Sequence, residues 1–104
     1  MLTYPVSLHP KPYGGADPKK REKYFRELEQ HNRVAAYINE QIETKHSGEY
    51  LIEFDNYEIA REVGMSKEDV HRISMRADGS SNGLTVCNPK NKPKETGDAG
   101  GKRQ

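Results

Sequence analysis

The chain has a single cysteine, Cys87, no tryptophan and only two phenylalanines among its 104 residues. One thiol excludes an internal disulfide and by itself provides no metal site. With no histidine paired to it, Cys87 reads as a small strand residue rather than a nucleophile. His9, His31, His46 and His71 lack the i, i+4 or Cys-x-x-Cys spacing of a zinc site and read as four separate surface histidines. No phosphate-cradling glycine loop occurs, and no nucleophile stands at a recognisable offset from a base. An enzyme is therefore not indicated, and no cofactor is expected. No apolar run approaches the ~20 residues that span a bilayer. Residues 1–16 lack the basic start and apolar middle of a signal peptide, so a reduced, cytoplasmic protein is expected.

Apolar residues are scarce too. They make up 32% of the chain, against roughly 45–50% (Gly included) in an ordinary globular domain, and mean hydropathy is −1.08. A packed core of about 65–70 residues with loose ends fits this balance, and a core that small is marginal alone. A partner or a second copy of the chain would help it. Net charge is only +1, but it is unevenly spread. Residues 1–48 carry eight basic and six acidic groups, residues 49–70 two and seven, and residues 71–104 seven and three.

Residues 1–16 hold Pro5, Pro10, Pro12 and the pair Gly14-Gly15, which predicts an extended, flexible arm. Asp17-Pro18 is a helix start, a capping carboxylate followed by proline at the first helical position. The pattern continues to about Lys45 and stops at Ser47-Gly48. Phe25, Leu28, Ala35, Ile38 and Ile42 mark one face, interrupted by polar residues at 29–33. Two helices broken near His31-Asn32 are compatible with this; one continuous helix would run about 40 Å and suit a dimer arm. Lys19, Lys20, Arg21 and Lys23 crowd its first turns against the helix dipole. They are candidate phosphate contacts, or an ordinary solvated face offset by Glu22, Glu27 and Glu29.

Residues 49–54 alternate as a strand, with Tyr50, Ile52 and Phe54 on one face. Leu84 to Asn88 alternates likewise and Pro89 ends it. Residues 73–77 continue a helix through Ile73 and Ala77, yet also alternate like a strand that would pair with 84–88 as a hairpin. Residues 90–104 have almost no apolar content and read as a disordered tail.

Between these lies the stretch Asn56-Tyr-Glu-Ile-Ala-Arg-Glu-Val-Gly-Met-Ser-Lys-Glu-Asp-Val-His-Arg-Ile73. Ile59, Ala60 and Val63 form one face of a short helix. Gly64 tolerates the positive φ that follows a helix end. Ser66 can cap the next helix, with Asp69 as a weaker stand-in for the Glu of a capping box. Val70 and Ile73 carry that helix's apolar stripe. Ala60 leaves room for two helices to cross closely.

This motif, in the order helix, strand, helix, glycine turn, helix and turn-rich hairpin, resembles the winged helix-turn-helix domains of bacterial transcription regulators, over about residues 34–88. In that family an alanine, a glycine, a helix-start serine and later Val and Ile hold these relative places. The run also resembles the promoter-reading helix pair of sigma factors, which has no wing. The family likeness implies a mainly α fold with a small β-hairpin or three-stranded sheet: an arm over 1–16, a winged helix-turn-helix domain over 17–89 and a tail over 90–104.

The resemblance further implies a DNA-binding transcription regulator whose helix at about 66–76 enters the major groove of double-stranded DNA. Ser66, Lys67, Glu68, His71 and Arg72 would face outward. Arg72 suits a bidentate pair with guanine, Lys67 a guanine or a phosphate, and Glu68 a cytosine amino group; His71 suits a phosphate or a base. Arg76, Ser80, Ser81 and Asn82 would touch the backbone. Glu58, Glu62, Glu68 and Asp69 oppose such binding, so two copies of the chain, plus the Lys19–Lys23 cluster or the basic tail, are expected to compensate. The competing expectation is a protein-interaction module on the same fold, acting through Glu49, Glu53, Glu58 and Glu62.

Overall fold

Asp17 and Pro18 start the first helix as their order requires. The computed structural model, which describes residues 1–12, 14–78 and 82–93, places Pro18 at the first helical position, and Asp17 Oδ1 accepts from the Lys19 N–H at 2.9 Å. Helix α1 then runs unbroken from Pro18 to Lys45, 28 residues. Strand β1 precedes it at Leu2–Thr3, and β2 (Leu51–Asp55), α2 (Asn56–Val63), α3 (Lys67–Asp78) and β3 (Gly83–Cys87) follow, with a short 3-10 turn at Pro89–Asn91. The fold is mainly helical with a small three-stranded sheet.

That sheet has the order β1-β3-β2, with β1 parallel and β2 antiparallel to β3. Ile52 pairs with Val86 and Phe54 with Leu84, and all four are buried, while Leu51, Glu53 and Asp55 point the other way. The inward face packs on α1 through Val34, Ala35, Ile38 and Ile42, on α2 through Ile59 and Ala60, and on α3 through Val70 and Ile73. Gly83 opposes Asp55 in the register. A Cβ there would lie 1.9 Å from the Phe54 carbonyl oxygen, so only glycine permits this approach of the two backbones.

One open question is decided here and two expectations are corrected. Of the two readings of 73–77, the helix holds: these residues belong to α3, and β3 pairs with β2 and β1 instead of forming a hairpin with them. Ser74 decides the matter: it is fully buried and its hydroxyl donates to Asn56 Oδ1 at 2.6 Å, a pairing that a helix turned toward α2 provides. The arm is extended as expected but not loose along its first residues. Val6 and Leu8 enter the core, and the Asn39 side chain takes both backbone groups of Val6, accepting from its N–H at 2.7 Å and donating to its carbonyl at 3.0 Å. Tyr4 adds a bond from its hydroxyl to Glu43 Oε2 at 2.9 Å. The tail is held at its start, where Asn91 Nδ2 donates to the carbonyls of Ser47 and Glu49; residues 94–104 lie outside the described residues.

The first turns of α1, residues 18–30, bury no side chain, and Phe25 is 51% exposed. The second half of the helix makes the core contacts. This division places the N-terminal half beside α3 without packing it tightly there.

Two substitutions test these constraints. Asn39→Ala removes both bonds to Val6 and is expected to cost about 2 kcal/mol, read by urea denaturation; an unchanged midpoint would show the arm to be dispensable. Gly83→Ala is expected to cost about 3 kcal/mol or more because backbone must move, whereas Gly48→Ala, with nothing near its added methyl, stays within about 0.5 kcal/mol.

Candidate nucleic-acid interface

α2 ends where Val63 gives way to Gly64, at φ 70° and ψ 38°. The N–H groups of Gly64 and Met65 both turn back to the Ala60 carbonyl, the latter at 3.0 Å. This closes the helix and swings the chain into α3. Ser66 caps the next helix, its Oγ accepting from the Asp69 N–H at 3.1 Å. At the other end of α2, Asp55 Oδ2 accepts from the N–H groups of Tyr57 and Glu58. Ala60 is buried and Ile59, Val70 and Ile73 are almost wholly so. The inward residues of the helix-turn-helix thus stand where the spacing puts them.

The outward residues divide into groups. Lys67, Glu68 and His71 line one depression of about 280 Å³ on α3. The Lys67 ammonium lies 4.0 Å from the centre of the Tyr57 ring, a cation–π contact that holds it against α2. Arg72 Nη2 donates to Asp69 Oδ1 at 2.7 Å, with the Arg72 side chain 52% exposed. The Arg72 guanidinium beside Asp69 holds its carboxyl below the usual carboxylate range. An exposed pair of this kind contributes roughly 0–1 kcal/mol, so Arg72 is positioned rather than locked.

Arg72 and Arg76 also line a groove of about 490 Å³ that runs between α3 and the N-terminal half of α1. Lys20 and Lys23 face them from α1, and Lys11 reaches in from the arm; Glu27 is its carboxylate. Two of the four candidate phosphate contacts on α1 therefore share a site with α3, and two do not. Arg21 instead lies over the Phe25 ring, 5.9 Å from its centre, and Lys19 is exposed near the helix cap. Asn82 is not brought to α3 either. It lines a second groove, of about 350 Å³, with Glu53, Asp55 and Glu58, and its carbonyl accepts from the Asn56 N–H. Ser80 and Ser81 lie outside the described residues.

His31 corrects the reading of four surface histidines. It is 4% exposed, and its Nδ1 bonds the Glu27 carbonyl at 2.6 Å. Burial is the main cause that pulls its pKa below 6.5; the Glu27 bond opposes this, and the charges of Arg76 and Arg72 reinforce it. Nε2 finds no hydrogen-bond partner among the described residues. Burial thus favours the neutral imidazole, and the contact with the Glu27 carbonyl suits a proton on Nδ1. It sits three and four residues before Val34 and Ala35, so the apolar stripe of α1 passes through it, and that spacing was the available signal. Lys20, Lys23, Tyr24 and Glu27 are the same stripe one to three turns earlier.

Arg33 also went unnoticed in the sequence. Its Nη2 donates to the Val63 carbonyl and ties α1 to the end of α2. No group of three or more His, Cys, Asp or Glu side chains suited to a metal occurs among the described residues, and no described helix is long and apolar enough to cross a membrane. Comparison with protein-family models, curated proteins and solved structures finds no match for this chain.

The buried histidine makes stability depend on pH. Because the folded pKa lies below the unfolded 6.5, the unfolded chain binds a proton that the folded chain refuses as pH falls beneath that value. Stability is expected to be level above about pH 6.5 and to decline below it. In His31→Leu the part of that decline due to His31 should vanish, as measured by urea unfolding between pH 7.5 and 5. Equal slopes in the two proteins would contradict a neutral buried imidazole.

Proposed function

We propose that the protein binds double-stranded DNA through α3, as a small transcription regulator without catalytic chemistry. The observation that carries this reading is the α2–Gly64–α3 unit, which exposes one polar face of α3 while its apolar face is fixed in the core. A recognition helix needs that rigidity, since base edges are read by side chains held in register. Lys67, Glu68 and His71 present donors and an acceptor at its N-terminal half, and Arg72 adds a fork suited to guanine. The winged variant of the fold would add a contact from the segment between α3 and β3.

Acidic groups temper the affinity of one copy. Glu68 and Asp69 stand on the reading helix itself, and each neutralised phosphate steepens salt dependence. A homodimer built on the N-terminal half of α1, where Phe25 is exposed, would double the cationic surface. A second reading has its own observation. Glu53, Asp55 and Glu58 line one groove, which suits a basic segment of a partner protein.

Fluorescence anisotropy with a labelled pool of random duplexes at low salt separates the two. Micromolar binding, weakened by Lys67→Ala and His71→Ala and unharmed by Glu53→Lys with Glu58→Lys, is expected. No binding at tens of micromolar overturns the DNA reading.

A further inference from the structure

The groove between α1, α3 and the arm has a charge and shape of its own. Five cations, Lys11, Lys20, Lys23, Arg72 and Arg76, face one carboxylate, Glu27. Among the described residues Lys11, Lys20, Lys23 and Arg76 form no ion pair, and Arg72 has only the exposed Asp69. Such a density of like charge repels itself, and nothing in the packing requires it. Lys20 and Lys23 are three residues apart on one helix and Arg72 and Arg76 four apart on the other. They are therefore separated by roughly 4.5 and 6 Å along their axes. Neighbouring cations of a row are thus close enough to meet neighbouring phosphates of one strand. Pro12 and Tyr24 complete the lining with flat, largely apolar surface, the kind that rests against sugar and base.

We propose that this groove seats the phosphodiester backbone of a nucleic-acid strand, the one that borders the major groove when α3 is inserted. The proposal rests on the DNA reading for its orientation, but not for its chemistry. α3 serves both surfaces: Lys67, Glu68 and His71 face the bases, Arg76 faces the backbone, and Arg72 stands between the two. The arm has a part in it: Asn39 fixes Val6, Leu8 and Pro10 are buried, and the chain then delivers Lys11 to the rim. Glu27 is the groove's brake, a negative charge facing the same phosphates.

The test uses the full chain, a 30-base-pair random duplex and a single strand of the same length. In the variant combining Lys11→Ala, Lys20→Ala and Lys23→Ala, duplex affinity should fall about 10- to 100-fold at 0.1 M salt whatever the sequence. The slope of log K against log salt should lose about 2 to 3 units. All three lysines are exposed, and a far-UV spectrum checks the fold. Glu27→Gln should tighten binding by about threefold or more, a gain that misfolding cannot produce. If the triple variant keeps the wild-type affinity and slope, the groove proposal fails and the α3 reading stands. If the protein binds only the single strand, with the lysine-dependent slope, the α3 reading fails and the groove stands. Binding to neither probe overturns both.

Discussion

One side-chain amide holds together parts of this molecule that lie far apart in the sequence. Asn39, midway along the packed half of α1, makes both of the hydrogen bonds that a neighbouring strand would otherwise offer to Val6. Without such a partner, drawing Val6 into the core would strand a backbone donor and acceptor, at a cost comparable to the burial gained. With it, Val6 and Leu8 join the core, Leu2 and Thr3 align beside β3 as the third strand, and Lys11 reaches the basic groove. A chain with so few apolar residues needs those two side chains.

The local part of this design was legible. The helix-turn-helix depends on residues within a few positions of one another: a left-handed glycine, a capping serine, and apolar groups at helical spacing. Each of these acts through contacts that span a turn or two, so sequence order reveals them. The start of α1 at Asp17-Pro18 belongs to the same class. What the sequence concealed was set by pairings over long separations. β3 pairs with β2 and β1 while the adjacent 73–77 stay in α3, where Val70, Ile73 and Ser74 are buried and Ser74 bonds Asn56 from eighteen residues away. Prolines and glycines in residues 1–16 point to an extended arm but could not reveal Asn39, thirty-three positions downstream of Val6. His31 was misjudged because polarity was weighed before position; its place on the stripe of α1 outranks its chemistry.

The candidate site was legible in half. Lys19, Lys20, Arg21 and Lys23 form one cluster on paper, yet a helix distributes four such neighbours around its circumference. Only Lys20 and Lys23 share the stripe that runs on through Glu27 and His31 into the core, and so only they come opposite Arg72 and Arg76. The same geometry explains the charge segregation. The stripe that is apolar where α1 is packed becomes cationic where α1 lines the groove with α3, while acidic residues collect around β2 and the start of α2. A net charge of +1 thereby hides two surfaces of opposite sign.

Asp69 shows how these opposing demands meet on one helix. A carboxylate in the first turn of α3 suits the helix dipole by a few tenths of a kcal/mol, and its bond to Arg72 fixes the guanidinium in a definite place. Both benefits are present without any ligand. An exposed ion pair is weak, whereas a guanidinium–phosphate or guanidinium–guanine fork makes two parallel charge-assisted bonds, so an arriving nucleic acid would outbid Asp69 for Arg72. The carboxylate would then face the incoming polyanion unpaired, and that repulsion is charged against every sequence alike. On the proposed reading, net binding would come from bases that pair with the released arginine or from a backbone that fills the groove beside it. If α3 reads bases as proposed, its own carboxylates would favour selectivity over strength, and affinity would rest largely on the cations of the groove: Lys11, Lys20 and Lys23 beside Arg72 and Arg76.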